Sequence, residues 1–325
     1  MNQILDKTRL IDAHRPSWAP TVMWLACVAV YALLQWLLVS AILAHSWLTV
    51  GVLVLLLAHL MHVHTLAIHE AAHGTLCPVR FLNDAFGIFI GIHAFMSLSV
   101  YRAVHHNHHA WLATPRDDEL WPFVIPGMPR WWRVFAACLE LTLGLFFTPL
   151  LYLRGYLRIA AEQKPEVRRR ARAEIALIVL VWIAVLALFG WFGGWRFLLL
   201  NYLVPAMMAG NLQSLRKYIE HMGLTGSTVL GSTRSVVPRT LLGRLAARTM
   251  FNIHYHGVHH KYGQMPSSVA PEFSDILMPK QADERAPFPS YWAAFRDMVG
   301  TLADPRVGAQ WNSTDISDRI STGSR

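Results

Sequence analysis

The chain has 325 residues, of which 54% are hydrophobic and only 15% are charged, against roughly 25% charged in a soluble domain. That composition excludes an ordinary cytosolic enzyme and a disordered chain, and three cysteines at unpaired spacings (Cys27, Cys77, Cys138) exclude a disulfide scaffold. The net charge of +9, from 29 Lys and Arg against 20 Asp and Glu, reads as the basic bias of cytoplasmic membrane loops and not as a nucleic-acid surface.

Residues 21–43 carry no formal charge, and residues 47–68 have only His59, His62 and His64 as ionisable side chains. Each run is long enough to cross the hydrocarbon as a helix. Residues 134–152 are also apolar, but hold Glu140 and Pro149. Four Arg in residues 101–133 and seven Lys or Arg in residues 153–174 make both flanks prefer the cytoplasm, so this segment is expected to be re-entrant or interfacial. Residues 175–192 and 197–215 provide two more crossings. The expected fold is all-α and integral to the membrane: four transmembrane helices in two hairpins, interfacial helices, and a cytoplasmic cap. It forms one domain over residues 1–302, followed by a polar, poorly ordered tail at 303–325. With this assignment 28 of the 29 basic residues lie inside, which places both termini in the cytoplasm.

Histidine is the unusual entry, with 17 residues concentrated in clusters. HEAAH spans His69 to His73, HHNHH spans His105 to His109, and HGVHH spans His256 to His260. On a helix, His69 and His73 share a face. His105, His108 and His109 are related as i, i+3 and i+4, and His256, His259 and His260 repeat that relation. Imidazole is the commonest biological metal ligand, and eight of them exceed what one ion can take, so the count argues for two metals. His221, in RKYIEHMG after the fourth span, is a ninth candidate. The span count carries all three clusters to one membrane face, which chance placement would not do. His59 and His62 are read as packing residues ahead of site-lining or ligating ones, and His14, His45, His64, His93, His106 and His254 are not assigned to metal.

HEAAH also matches HExxH, the motif of zinc proteases, some of them intramembrane. A zinc hydrolase would leave both HxxHH clusters unexplained. In the two-metal reading Glu70 is an outer acceptor for an imidazole or an acid on the helix surface. A metal-storing or transporting membrane protein is a third class, disfavoured because the clusters gather at one face and form no polar path through the spans. An all-imidazole, two-metal site suits iron among the redox metals, although ligand type also admits copper or zinc.

These residues resemble the membrane fatty acid desaturase and hydroxylase superfamily, with its histidine boxes HxxxH, HxxHH and HxxHH. The likeness runs through HEAAHGTL, HHNHHAWLATPRDDE, KYIEHMG and NIHYHGVHH. It implies two irons near the cytoplasmic face, with O2 as co-substrate and a membrane lipid as substrate. The ligands it implies are His69, His73, His105, His108, His109, His256, His259 and His260, with His221 as the extra one. Asp118 looks like the family's acidic residue behind the ligands, with Asp117 adjacent, and Asn252 matches a supporting position. No HPGG stretch of a fused cytochrome domain is present, so a separate carrier of ferredoxin, rubredoxin or cytochrome type is expected to bring electrons. The resemblance implies desaturation of an acyl chain, with hydroxylation or ketolation of an acyl, alkane, sphingolipid or carotenoid substrate as the alternative.

Overall fold

The computed structural model describes residues 9–312, and among these it is helical with no strand beyond an isolated bridge between Val236 and Phe288. Helix α1 (Ala19–Leu43) opens with Pro20 in its first turn, where a missing N–H costs nothing. It turns at His45 into α2 (Trp47–His73), against which it packs. The second helix runs five residues past the expected span, and those five are HEAAH. Gly74 ends it in the left-handed conformation that glycine adopts without strain.

Next come α3 (Arg80–His93) and α4 (Leu98–Ala110), bent by 100° at the break between them. Ser97 caps α4 by accepting from the Val100 N–H, and the helix carries the second histidine cluster at its far end. Helix α5 (Arg130–Ile159) contains the expected segment 134–152 but extends beyond it at both ends. It is kinked at Leu143, where the backbone leaves helical geometry and the Gly144 N–H is taken by the Asn211 side chain at 3.0 Å.

Helix α6 (Pro165–Trp191) turns at Gly193 into a short helix α7 (Trp195–Leu198), a π turn (Leu199–Leu203) and α8 (Val204–His221). The cap is completed by α9 (Leu241–Thr249), α10 (His256–Lys261), an irregular 3-10 stretch (Ser267–Leu277) and α11 (Tyr291–Val299).

Among the described residues, four helical stretches are long and apolar enough to cross a membrane: Ala19–Leu43, Trp47–His73, Arg130–Glu162 and Pro165–Trp191. This all-α integral membrane fold leaves Leu180, Ile183 and Trp191 on α6 exposed on its outer surface. The expected fourth crossing, 197–215, is not among them, because the π turn breaks it and Asn201, Asn211 and Gln213 interrupt its apolar run.

The contacts of α5 bring both of its ends to the histidine cap. At its start, the Arg130 guanidinium donates to the Ala303 carbonyl (2.8 Å); past the kink, Tyr152 stacks on Tyr101 at 4.9 Å. The following turn places Gln163 beside Arg102 and His106. Close approach of α5 and α8 at Gly144 and Gly210 fixes the lower contact, since a Cβ at Gly210 would meet the Leu145 backbone N at 2.4 Å.

Residues 303–312 do not belong to a loose tail. Val307 and Trp311 are buried, and the indole N–H of Trp311 donates to the Phe123 carbonyl at 2.8 Å. Aromatic burial outweighs the polar composition that suggested a tail; the remaining residues, 313–325, lie outside the described part of the chain.

Candidate metal centre

The nine histidines expected as ligands come from four helices: His69 and His73 from α2, His105, His108 and His109 from α4, His221 from the end of α8, and His256, His259 and His260 from α10. They form two adjoining groups. In the first, ring nitrogens of His69, His73, His105, His109 and His259 all lie within 4.8 Å of one another. In the second, His221 is shared by two overlapping clusters, one with His108 and His260 and one with His256 and Glu220. Rings of His109 and His260 stack at 4.4 Å where the two groups meet.

Within each group the Nε2 atoms face one another. The separations are 3.0 Å for His69 and His259, 3.2 Å for His105 and His109, 2.8 Å for His221 and His256, and 3.1 Å for His256 and His260. Ligands at about 2.1 Å from one ion stand about 3.0 Å apart at right angles and about 3.4 Å apart in a tetrahedron, so these spacings are near those of a shared cation. Both ring nitrogens of His73 and the Nδ1 atoms of His256, His259 and His260 are buried without a hydrogen-bond partner. Burial, with neighbouring imidazoles adding to it, holds His259 and His260 well below the ordinary histidine value, which keeps them as the neutral rings that metals bind.

Four acceptors fix the tautomers of four other rings. The Ser232 carbonyl can only accept, so His221 must carry its proton on Nδ1 (3.0 Å) and keep a lone pair on Nε2. Carboxylates do the same for His105 (Glu119, 2.8 Å), His108 (Asp117, 2.8 Å) and His69 (Glu70, 3.3 Å). Burial works to raise the Glu119 carboxyl, but His108 and His105 outweigh it and hold the group well below the usual range, as an ionised acceptor.

The choice of Asp118 is corrected. Its carboxylate points away from the rings and pairs with Arg158 at 2.8 Å, while Asp117 holds His108. Successive residues of the turn face opposite ways, and Asp117 is further fixed because its side chain accepts from the Ala113, Glu119 and Leu120 N–H groups. Glu70 is no surface acid. Buried, it accepts from the Ser267 hydroxyl (2.7 Å) and the Thr75 hydroxyl (2.8 Å), so its oxygens are engaged away from the open side of the rings. That is a poor position for activating water in a zinc protease. Asn252 touches no ligand; it donates to the Ser268 carbonyl at 3.2 Å and so steadies the segment that grips Glu70.

Glu119, Glu220 and the Ser232 carbonyl were not singled out from the sequence. Glu119 closes the Asp-Asp-Glu triplet whose first member holds His108, which was the only signal available. Glu220 lies 3.5 Å from His256 and pairs with Arg216. The spare histidines stay out of the clusters: the His64 Nδ1 accepts from the Trp24 indole (3.2 Å), His59 meets Thr249 (3.3 Å), and His106 is exposed.

A narrow pocket lies beside the first group, bounded by Ile68, Tyr101, Glu119, Leu145, Tyr152 and Lys217. A family model described as fatty acid desaturase matches residues 45–292, which include every histidine of both groups. The chain belongs to the fatty acid desaturase family. A comparison with curated proteins finds no match. Membership makes this desaturase-family protein an oxidoreductase of an iron-dependent type that acts on lipid, and the histidine groups could bind metal.

Proposed function

We propose that the protein is an O2-dependent diiron desaturase that introduces a double bond into a fatty acyl chain at the cytoplasmic face of the membrane. The carrying observation is the convergence of nine imidazoles into two adjoining groups with their Nε2 atoms inward. Two irons, when bound there, would supply the oxygen activation needed to take hydrogen from an unactivated methylene. Glu119, Asp117, Glu70 and the Ser232 carbonyl hold the rings in the ligating tautomer. The cavity beside His105 would hold the chain away from bulk water, with Tyr101 stacked on His105 at 5.3 Å as its roof.

In this reading α1, α2, α6 and the broken stretch from α7 to α8 cross the bilayer, and α5 enters and returns. Electrons would come from a separate ferredoxin, rubredoxin or cytochrome-type carrier. Hydroxylation of the same lipid class would use the same ligands.

The test is metal content of the purified protein together with lipid products formed under labelled oxygen. About two irons per chain and a new double bond without label support the proposal. Label in the lipid would convert it to a hydroxylase, and one zinc without lipid change would defeat it.

A further inference from the structure

The exposed wall of the pocket next to the histidines is mostly apolar, but charged and polar residues stand among those that bound it. Ile68, Met96 and Leu145 supply apolar wall, but Lys217, Glu140 and Ser214 reach the same space. Lys217 and Glu140 form an ion pair with side chains 8% and 0% exposed, and the Tyr218 hydroxyl donates to Glu140 at 2.8 Å. Lys217 belongs to the RKYIEHMG stretch, one helical turn before His221, so its Cα stands about 6 Å along the axis from that of a ligand position.

A buried ion pair is an expensive way to fill a wall. Replacement of such a pair by apolar side chains of similar volume is often neutral or stabilising, and ionisable groups at membrane depth mark sites of function. Nor does the α5–α8 contact need it, because Gly144, Gly210 and the Asn211 side chain already fix that crossing. The Lys217 ammonium has three N–H groups. One goes to Glu140, a second lies a long 3.5 Å from the Glu119 carbonyl, and donor capacity is left on a side chain that lines the cavity. The Ser214 hydroxyl, 3.3 Å from that of Thr148, offers a further partner.

Charge narrows the ligand. Glu140 already balances Lys217, and Glu119 adds a second carboxylate at the cavity wall, so a carboxylate headgroup would meet no net positive field. A neutral oxygen would meet a strong donor. We propose that this cavity selects a lipid chain bearing a neutral hydrogen-bonding oxygen, a hydroxyl or carbonyl, and that Lys217 and Ser214 recognise it. The proposal rests on the lipid-oxidising reading for the identity of the chemistry, but its binding claim is measured without turnover.

The experiment is equilibrium binding of hexadecane, 1-hexadecanol and palmitate to the full chain in nanodiscs. A hydrogen bond to a charged donor predicts a preference of about tenfold for the alcohol over the alkane, with palmitate no better than the alkane. Lys217→Met should remove the preference while leaving hexadecane binding unchanged. Because that variant strands the buried Glu140, the pair Lys217→Met with Glu140→Gln is measured beside it and should lose the preference equally. Equal binding of alcohol and alkane by the unaltered chain overturns the proposal. So does tightest binding of palmitate, or a loss in the variants that falls alike on all probes. A chain that keeps the preference but oxidises no lipid would defeat the proposed function and leave this inference standing; lipid turnover without the preference would do the reverse.

Discussion

Which nitrogen of each imidazole is free for a metal is decided by what holds the other one. Asp117 sits 2.8 Å from His108 and Glu119 sits 2.8 Å from His105, so Asp117→Asn and Glu119→Gln should each lower iron retention or turnover by about 10- to 100-fold. Asp118→Asn disrupts the contacts to Arg154 and Arg158 and should leave iron content unchanged. Iron per chain and turnover, measured on the three variants side by side, would reverse this assignment if Asp118→Asn proved the damaging one. Alanine at any of the eight box histidines should abolish activity without preventing membrane insertion, whereas His106→Ala, whose ring is exposed and outside both groups, should keep its iron. The ligands were legible because i, i+3 and i+4 spacing is a property of the sequence. Their acceptors were less so: Asp117, Asp118 and Glu119 are chemically equivalent in the chain, and only the turn geometry after Ala113 separates them. The Ser232 carbonyl has no sequence signature, since every residue owns one.

Among the elements, α5 is where an apolar count and the observed packing point different ways. Its composition allows it to cross, and by length it outranks the broken 195–221 stretch. The kink at Leu143 is invisible to hydropathy, but it frees the Gly144 N–H for Asn211 and lets the second limb turn back toward Val104 and Asp118. Glu140 and Pro149 make this segment ambiguous in the sequence, and the charge of its flanks is what argues against a crossing. The kink depends on backbone contact at Gly144 and Gly210, where packing of small residues is what holds helices together in lipid. Gly210→Leu would drive a side chain into the Leu145 backbone and should destabilise the protein by about 1–3 kcal/mol. Thermal unfolding of the purified variant in detergent checks this; an unchanged midpoint would mean that the two helices are not in contact there. The tail boundary failed for a related reason. Residues 303–312 are mostly polar or small, yet Val307 and Trp311 find buried seats against Phe123 and Arg133, a tertiary opportunity that local composition does not display.

On the scale of the molecule, the kinked helix decides which compartment each loop faces. In a two-hairpin protein with α5 returning to its own side, the turn after α5 lies with the histidine cap. The crevice shared by Gln163, Arg170, Arg102 and His106 supports that arrangement. Were α5 to cross, that turn would lie with the first hairpin's turn at Ser46, and α10 could reach the other histidines only from the wrong face. Single cysteines test this in a background lacking Cys27, Cys77 and Cys138. Arg116→Cys and Glu162→Cys should react with a membrane-impermeant thiol reagent from the same side, and Ser46→Cys from the opposite one, because all three positions are exposed. Right-side-out cells should label Ser46→Cys alone, and inverted vesicles the other two. Labelling of Glu162→Cys together with Ser46→Cys would make α5 a true crossing and refute the proposed placement of the active site with both termini. The pattern predicted instead leaves the basic residues of segment 153–174, Arg168 and Arg169 among them, on the cytoplasmic surface where the charge bias of the loops first put them.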